Sequence, residues 1–178
     1  MKVFRCLVCG DPYLGKNKPT NCPFCGAHQN LIVLVHEYKE NKDLSTEKSR
    51  ANLEQALEIE ISNTQFYRAA MEIGDDEPTK QMFRALAKVE AEHGSTICKW
   101  LKIDKPAALS EMGTANDTAL ANVEESKKRE ERASGFYTQA AGEAMEKGVA
   151  WFFRALAEVE RDHLELDKQA VARLTIMG

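Results

Sequence analysis

Six side chains that could bind metal ions form a short motif that this chain contains twice. Each copy consists of a glutamate followed, thirty residues later, by Glu-x-x-His, and the two copies lie seventy residues apart. The six residues are Glu60, Glu90, His93, Glu130, Glu160 and His163. Four carboxylates and two imidazoles are the ligand set with which a four-helix bundle holds a pair of metal ions. The repeat therefore predicts a two-metal site built from two similar halves of the chain.

Apolar residues spaced by three or four predict a helix around each part of this motif. The stripes of the first two helices consist of Leu53, Leu57, Glu60, Thr64, Tyr67 and Met71, and of Phe83, Leu86, Glu90, His93, Ile97 and Trp100. Those of the third and fourth consist of Leu120, Val123, Lys127, Glu130, Ser134, Tyr137 and Ala141, and of Phe153, Leu156, Glu160, His163 and Leu166. The ligands thus fall on apolar faces, where an unpaired carboxylate is costly to bury. Bound cations would remove that cost. The alternative, in which these residues are ordinary surface charges, would not explain why the same motif occurs twice at matching positions.

Turn residues divide the helical region into two hairpins, with turns at 74–78 and 142–148. Glu60 and Glu90 lie equally far from the first turn, so at ~1.5 Å per residue they reach the same depth in the bundle. A longer stretch, 102–117, joins the hairpins. Two short hairpins and one long crossover are the ferritin-like arrangement. We therefore expect a mainly α fold with a ferritin-like four-helix bundle.

The ligand types narrow the choice of metal without settling it. Mixed carboxylate and imidazole ligation suits iron or manganese, and zinc would also bind. Tyr67 and Tyr137 lie two turns beyond Glu60 and Glu130 on the same helix faces. We expect each hydroxyl to bond a ligand carboxylate, although a tyrosine that merely packs in the core would fit the same pattern.

The first 25 residues contain a second candidate metal site. Cys6 and Cys9, then Cys22 and Cys25, form two Cys-x-x-Cys pairs separated by twelve residues, and each pair is followed by glycine. Tetrahedral four-sulfur ligation suits one zinc or one iron ion, so a structural zinc and a redox-active iron both stay open. Cys98 stands apart on the second helix, where we expect a small buried side chain.

Composition and turn residues suggest a division of the chain and a cellular compartment. We predict a small β-rich four-cysteine module at 1–38, such as a zinc ribbon, a polar linker at 39–46 and the bundle at 47–178. The net charge of −4 argues against a nucleic-acid partner. No signal sequence or spanning stretch is evident, so we expect a cytoplasmic protein without a membrane partner.

These motifs together resemble the rubrerythrins. The resemblance is carried by Cys-x2-Cys-x12-Cys-x2-Cys, by Glu-x6-Tyr from Glu60 to Tyr67, and by Glu-Ala-Glu-His from Glu90 to His93. It implies a non-haem di-iron peroxidase that reduces hydrogen peroxide to water in oxidative-stress defence. The four-cysteine module would be rubredoxin-like, and electrons would come through its iron from rubredoxin or an NAD(P)H-dependent reductase. The implied catalytic residues are the six ligands together with Tyr67 and Tyr137.

Two features depart from the better-known rubrerythrins. The four-cysteine module is N-terminal rather than C-terminal, as in members with reversed domain order. A further glutamate of the third helix is replaced by Ala133. The more symmetric site that results keeps an alternative open, a ferroxidase or iron-handling protein with a structural zinc knuckle; a metal-stabilised protein without enzymatic activity is a third possibility.

The resemblance also implies how subunits would cooperate. It suggests a homodimer, either head-to-tail or with swapped helices, that brings the four-cysteine site of one subunit near the two-metal site of the other. The expectation behind this is that the two sites of a single chain lie too far apart for fast electron transfer.

Overall fold

Four long helices and a small sheet make up the computed structural model, which describes residues 1–40 and 42–177. The helices are α1 (Glu47–Ala70), α2 (Glu77–Leu101), α3 (Ala119–Glu143) and α4 (Lys147–Met177). Helix α1 packs chiefly on α2, and α3 chiefly on α4. Residues 102–118 connect these two hairpins and include one 3-10 turn, Ala107–Ser110. The ferritin-like arrangement predicted from the turns is therefore confirmed.

The N-terminal segment forms a three-stranded antiparallel sheet. Its strands are β1 (Lys2–Cys6), β2 (Pro12–Gly15) and β3 (Ile32–Leu34), in the order β2-β1-β3. The register pairs Phe4 with Tyr13 on one side and with Leu34 on the other. This small sheet carries two of the loops that hold the cysteines, as expected for a β-rich four-cysteine module.

Short polar side chains fix where the bundle helices begin. The Thr46 side chain accepts a hydrogen bond from the Ser49 amide at the start of α1, and Thr118 caps α3 in the same way. Asp76 caps α2, and Pro78 occupies its first turn, where its missing N–H costs nothing. These caps set the ends of the helices and therefore the depth at which each ligand enters the core.

The inward faces of α3 and α4 differ from the predicted stripes. Leu120 and Leu166 are 38% and 40% exposed, whereas Ser126 and Asp167 are completely buried. Lys127 is only half-buried. The prediction was wrong at Leu120 and Leu166, and it missed Ser126 and Asp167, because apolar periodicity cannot identify a serine or an aspartate as inward-facing. On α1 and α2 the predicted residues are buried except Met71, which is half-buried.

The four-cysteine module packs directly on the bundle. Its buried side chains are continuous with the core beneath α2 and α4. Lys99 Nζ of α2 donates to the carbonyl oxygen of Cys9 at 3.0 Å, and His28 Nε2 lies 2.6 Å from Asp162 Oδ2 of α4. Gly26 approaches α4 so closely that a Cβ there would lie 2.9 Å from Val159 Cγ1. The module thus docks at a defined position on the face formed by α2 and α4.

Within 1–40 and 42–177, none of the helices combines the length and the apolar character needed to cross a lipid bilayer.

Candidate metal centres

All six predicted ligands of the two-metal site meet at the centre of the bundle. Each helix contributes a glutamate, and α2 and α4 add a histidine one turn later. The glutamates and His93 are fully buried, and His163 is 8% exposed. The side chains form two overlapping groups whose ligand atoms lie within 4.8 Å of one another; these are Glu60, Glu90, His93 and Glu160, and Glu90, Glu130, Glu160 and His163. Glu90 and Glu160 belong to both, so they would bridge two metal ions.

Both imidazoles turn the same nitrogen toward the carboxylates. His93 Nδ1 lies 3.3 Å from Glu90 Oε2 and 3.3 Å from Glu160 Oε1. His163 Nδ1 lies 3.0 Å from Glu160 Oε2 and 3.1 Å from Glu90 Oε1. The i, i+3 spacing on each helix produces this geometry, since residues three apart share a helix face. Nδ1 is therefore the atom that would bind metal in each half.

The unpaired oxygens and the charge of the cluster fit a pair of cations. Each ligand glutamate has one carboxylate oxygen without a hydrogen-bond partner among the described residues; these atoms are Glu60 Oε2, Glu90 Oε1, Glu130 Oε2 and Glu160 Oε1. Burial, together with the neighbouring carboxylates, raises the pKa of Glu60 and of Glu130 well above the usual range. The cluster without metal must hold protons to limit its negative charge, and two divalent ions would replace them.

Each predicted tyrosine crosses from one half of the bundle to the other. The Tyr137 hydroxyl donates to Glu60 Oε1 at 2.5 Å, and the Tyr67 hydroxyl donates to Glu130 Oε1. Tyr67 stacks on Phe83 and Tyr137 on Phe153, with ring centroids 5.7 and 5.9 Å apart. The hydrogen bonds expected from the sequence are present, but each joins a tyrosine to the glutamate of the opposite repeat.

Two buried residues near this site were missed by the sequence reasoning. Ser126 Oγ lies 2.8 Å from Asp167 Oδ2 and 3.0 Å from the Tyr67 hydroxyl. Burial raises the pKa of Asp167 to about 7. The available signal was a break in the repeat, since the equivalent positions seventy residues earlier are Ala56 and Ile97.

The four cysteines have the geometry of a tetrahedral metal site. Cys6 Sγ lies 3.6 Å from Cys25 Sγ, and Cys9 Sγ lies 3.9 Å from Cys22 Sγ. A tetrahedron with metal–sulfur bonds of about 2.3 Å has edges of about 3.8 Å, so these separations suit a single ion. They are far too long for disulfide bonds, and all four thiols are free and buried.

The predicted glycine turns shape both cysteine loops. Gly10 and Gly26 adopt φ values of +82° and +72°, and their amides bond the carbonyl oxygens of Cys6 and Cys22 at 3.0 Å. Glycine adopts these left-handed values without a steric penalty, which lets each loop close tightly around its sulfurs.

The two sites touch within one chain. His93 Nε2 lies 2.9 Å from the carbonyl oxygen of Cys25, so its N–H donates there while Nδ1 faces the carboxylates. The expectation that these sites lie too far apart within one subunit was wrong. This expectation failed because the module docks on α2 and α4 through contacts between residues far apart in the sequence, and no local sequence pattern predicts such contacts.

Comparison with known proteins agrees with this combination of sites. A family model described as rubrerythrin matches residues 51–171, which includes every ligand of the two-metal site. The chain belongs to the rubrerythrin family. It is also similar to reverse rubrerythrin-1 of Clostridium acetobutylicum, with 26% identity over 116 residues that cover 57% of this chain and 62% of that protein. The match thus spans less than two thirds of that relative. No solved structure matches the chain.

The family assignment fits the position of the four-cysteine site at the N-terminal end, which corresponds to the reverse domain order. Ala133, which replaces a glutamate expected from the better-known members, is buried on α3 one turn from Glu130. The cluster around the two-metal site therefore contains four glutamates rather than five among the described residues.

A cavity of about 310 Å³ opens beside the four-cysteine site of this family member. Leu7 and Val8, the two residues between Cys6 and Cys9, form part of its wall, and Trp151 of α4 forms another part. Lys39 and Lys147 lie at the same cavity, and neither is paired with a carboxylate within the described parts of the chain. Leu7 and Val8 thus connect the buried Cys6 and Cys9 sulfurs to an apolar cavity with positive charge around it.

Proposed function

We propose that this protein is a peroxidase that reduces hydrogen peroxide to water at the two-metal site, with electrons supplied through the four-cysteine site. The observation that carries the proposal is the hydrogen bond between His93 Nε2 and the Cys25 carbonyl oxygen. It joins a ligand of one site to a ligand residue of the other, and a purely structural zinc knuckle would not require such a link. Family membership supports a redox role for the pair of sites.

The ligand residues divide into holding and bridging roles. Glu60 with His93 would hold one metal ion, and Glu130 with His163 would hold the other. Glu90 and Glu160 would bridge them. Two iron ions in these positions would polarise the O–O bond of peroxide and supply electrons for its cleavage. The buried apolar surroundings would exclude bulk water and strengthen the electrostatic interactions within the site.

The tyrosines and the module position these groups. Tyr137 and Tyr67 each hold one carboxylate oxygen, of Glu60 and Glu130, by a hydrogen bond. The Cys25 carbonyl fixes the tautomer and the ring orientation of His93, so that Nδ1 is free to bind metal. Together these contacts would maintain the ligand geometry while the charge of the site changes during turnover.

The electron donor that we propose is rubredoxin or an NAD(P)H-dependent reductase. Its docking surface would be the cavity beside Leu7 and Val8, because these two residues lie between the cavity and the buried sulfurs of Cys6 and Cys9. Lys39 and Lys147 would attract a negatively charged donor surface and increase its rate of association. Because the two sites already touch within one chain, this route does not require a dimer.

Replacing single ligands tests the site assignment. We expect Glu90→Ala and His163→Ala to lose iron at the two-metal site and peroxide consumption together, while the visible bands of iron at the four cysteines persist. Exposed Glu165→Ala on α4 serves as the control and should retain both properties. Full peroxidase activity in either ligand variant would show that the reaction takes place elsewhere.

A ferroxidase is the second candidate, and Ala133 is the observation that favours it. With four glutamates and two histidines in similar halves, the site is more symmetric than that of the better-known rubrerythrins. A ferroxidase would oxidise Fe(II) without drawing electrons through the cysteines. The two functions therefore differ in whether an iron at the four cysteines is reoxidised when peroxide is added.

A further inference from the structure

A buried chain of hydrogen bonds extends from the two-metal site on one side. Tyr67 donates to Glu130, its oxygen lies 3.0 Å from Ser126 Oγ, and Ser126 Oγ lies 2.8 Å from Asp167 Oδ2. All four side chains are completely buried. The second oxygen, Asp167 Oδ1, has no hydrogen-bond partner in 1–40 or 42–177. A carboxyl group is thus connected to a metal-ligand glutamate through two hydroxyl groups.

Counting hydrogens shows which protonation state of Asp167 completes this chain. If Asp167 is ionised, Ser126 donates to it and Tyr67 donates to Glu130, so no hydrogen is left for the contact between the two hydroxyl oxygens. If Asp167 is protonated, it can donate to Ser126, Ser126 to Tyr67, and Tyr67 to Glu130. All three hydrogen bonds then point toward the metal site.

The other half of the bundle has no such chain. Tyr137 donates to Glu60, but the positions equivalent to Ser126 and Asp167 are Ala56 and Ile97. Ala56 and Ile97 are both buried, and neither side chain can carry a proton. The two halves therefore share the metal ligands and the tyrosine, and they differ in the groups behind the tyrosine. Support of the ligand carboxylate alone does not require Asp167, since the Tyr137 half does without it.

We propose that Asp167 is a proton-relay residue that sends a proton through Ser126 and Tyr67 to the Glu130 side of the two-metal site. This inference rests on the proposed function, because reduction of one hydrogen peroxide to two waters consumes two electrons and two protons. In each event the Asp167 O–H bond breaks, and Ser126 and Tyr67 each accept one hydrogen and pass on another. Glu130 transfers the last one to an oxygen released from peroxide, and a hydronium ion of the solvent returns a proton to Asp167, so each event consumes one proton from the solvent.

The surroundings of Asp167 suit a group that gains and loses a proton near neutral pH. The titratable and charged groups that face it are His163 on α4, Glu90 on α2, Lys127 on α3 and Tyr67 on α1. Burial raises its pKa to about 7, although the Ser126 hydrogen bond and His163 act in the opposite direction. Burial thus favours the protonated form of Asp167, which the relay needs.

Three substitutions test the relay in the iron-loaded full chain. Ser126→Ala interrupts the chain of hydroxyl groups, Asp167→Asn removes the exchangeable carboxyl proton, and Ser126→Thr retains a hydroxyl group. The matched control is Ser134→Ala, a buried serine on the same helix that lies outside the chain. We expect Ser126→Ala and Asp167→Asn to lower kcat by roughly 100-fold, the low end of what a positioned proton donor contributes. The kcat of Ser126→Thr and of Ser134→Ala should stay near the wild-type value. The KM for peroxide should change little in all four variants.

Infrared spectroscopy of the resting metal-loaded protein gives a readout that does not depend on turnover. We expect a protonated-carboxyl band that disappears in Asp167→Asn and shifts in Ser126→Ala. Wild-type kcat and pH dependence in both disrupted variants would overturn the relay while leaving the peroxidase intact, and so would a band unaffected by Asp167→Asn. A wild-type protein that shows the band but consumes no peroxide would instead refute the proposed function, and the relay with it.

Discussion

At the scale of single residues, the two-metal site buries carboxylates that would be unfavourable without a compensating positive charge. Bound cations would supply that charge. Four buried glutamates and two histidines share the centre of the bundle, and each glutamate has one oxygen that takes part in no hydrogen bond within the described chain. Burial and the other carboxylates raise the pKa of Glu60 and Glu130. For His93 and His163, burial lowers the pKa, but the surrounding carboxylates outweigh it and raise the value overall. The metal-free protein should therefore hold protons that the metal displaces.

This coupling predicts how stability depends on pH. Groups whose pKa is raised on folding stabilise the metal-free protein below their unfolded pKa values, and that stability is lost as the pH rises. We expect the free energy of unfolding of the metal-free protein to fall between about pH 5, where unfolded glutamates ionise, and pH 8. Stabilisation by added Mn(II) should grow over the same range, because fewer protons must be displaced.

Urea unfolding at several pH values, with and without Mn(II), measures both effects. The double variant Glu60→Gln, Glu130→Gln is the matched control, since it removes two of the titrating groups and should flatten the curve of the metal-free protein. Stability of the metal-free wild type that increases steadily from pH 5 to pH 8 would contradict this account of the cluster.

The sequence predicted the ligands well because their chemistry and spacing are unusual. Glutamate and histidine rarely occupy an apolar stripe, and a second copy of the same pattern seventy residues later strongly favours metal binding. Ser126 and Asp167 gave no comparable signal, because a single polar residue near a helix face is usually exposed. Their burial depends on how α3 rotates against α1 and α4, which apolar periodicity sets only to within about one residue.

At the scale of elements, the contact between the module and the bundle determines how the two sites are connected. Gly26 allows this contact in two ways, since it has a positive φ and its missing side chain leaves room for Val159. We expect Gly26→Ala to displace the module from α4 and to lengthen the separation between Cys25 and His93. The rate of electron transfer between the sites should then fall at least about tenfold, because the hydrogen-bonded route is broken.

Gly135→Ala on α3 is the control, because a Cβ there meets nothing within 4 Å. In a helix interior, this change should stabilise the protein by about 0.5–1 kcal/mol and leave electron transfer unchanged. Metal analysis of both variants establishes that the four-cysteine site is still loaded. If Gly26→Ala contains a full complement of iron and transfers electrons at the wild-type rate, the docked contact is not the route.

Helix boundaries and hairpins were predictable because caps, turns and apolar periodicity are local properties. The position at which the module docks on the bundle was not predictable. Its contacts join residues far apart in sequence, such as Cys9 with Lys99 and His28 with Asp162, and nothing in residues 1–38 indicates which face of the bundle they cover. The expectation of distant sites failed for this reason.

At the scale of the whole molecule, the protein combines a buried four-thiolate site, whose Leu7 and Val8 border a surface cavity, with a two-metal site that is enclosed in the core. The cavity at Leu7 and Val8 opens toward a donor, and the Cys25 to His93 hydrogen bond leads inward. Behind the metal ligands, Asp167 would supply protons on one side. Electrons and protons would thus reach the reaction by separate routes, and a single chain would contain both.

If the two metal sites act as one redox unit, stopped-flow spectroscopy should detect electron transfer between them. The protein is loaded anaerobically with iron, fully reduced and mixed with hydrogen peroxide or with oxygen. We expect the iron at the four cysteines to be reoxidised within milliseconds to seconds by peroxide, and more slowly by oxygen. Oxidation of the two-metal site alone, while the four-cysteine iron stays reduced, would contradict this expectation and leave a ferroxidase with a structural knuckle.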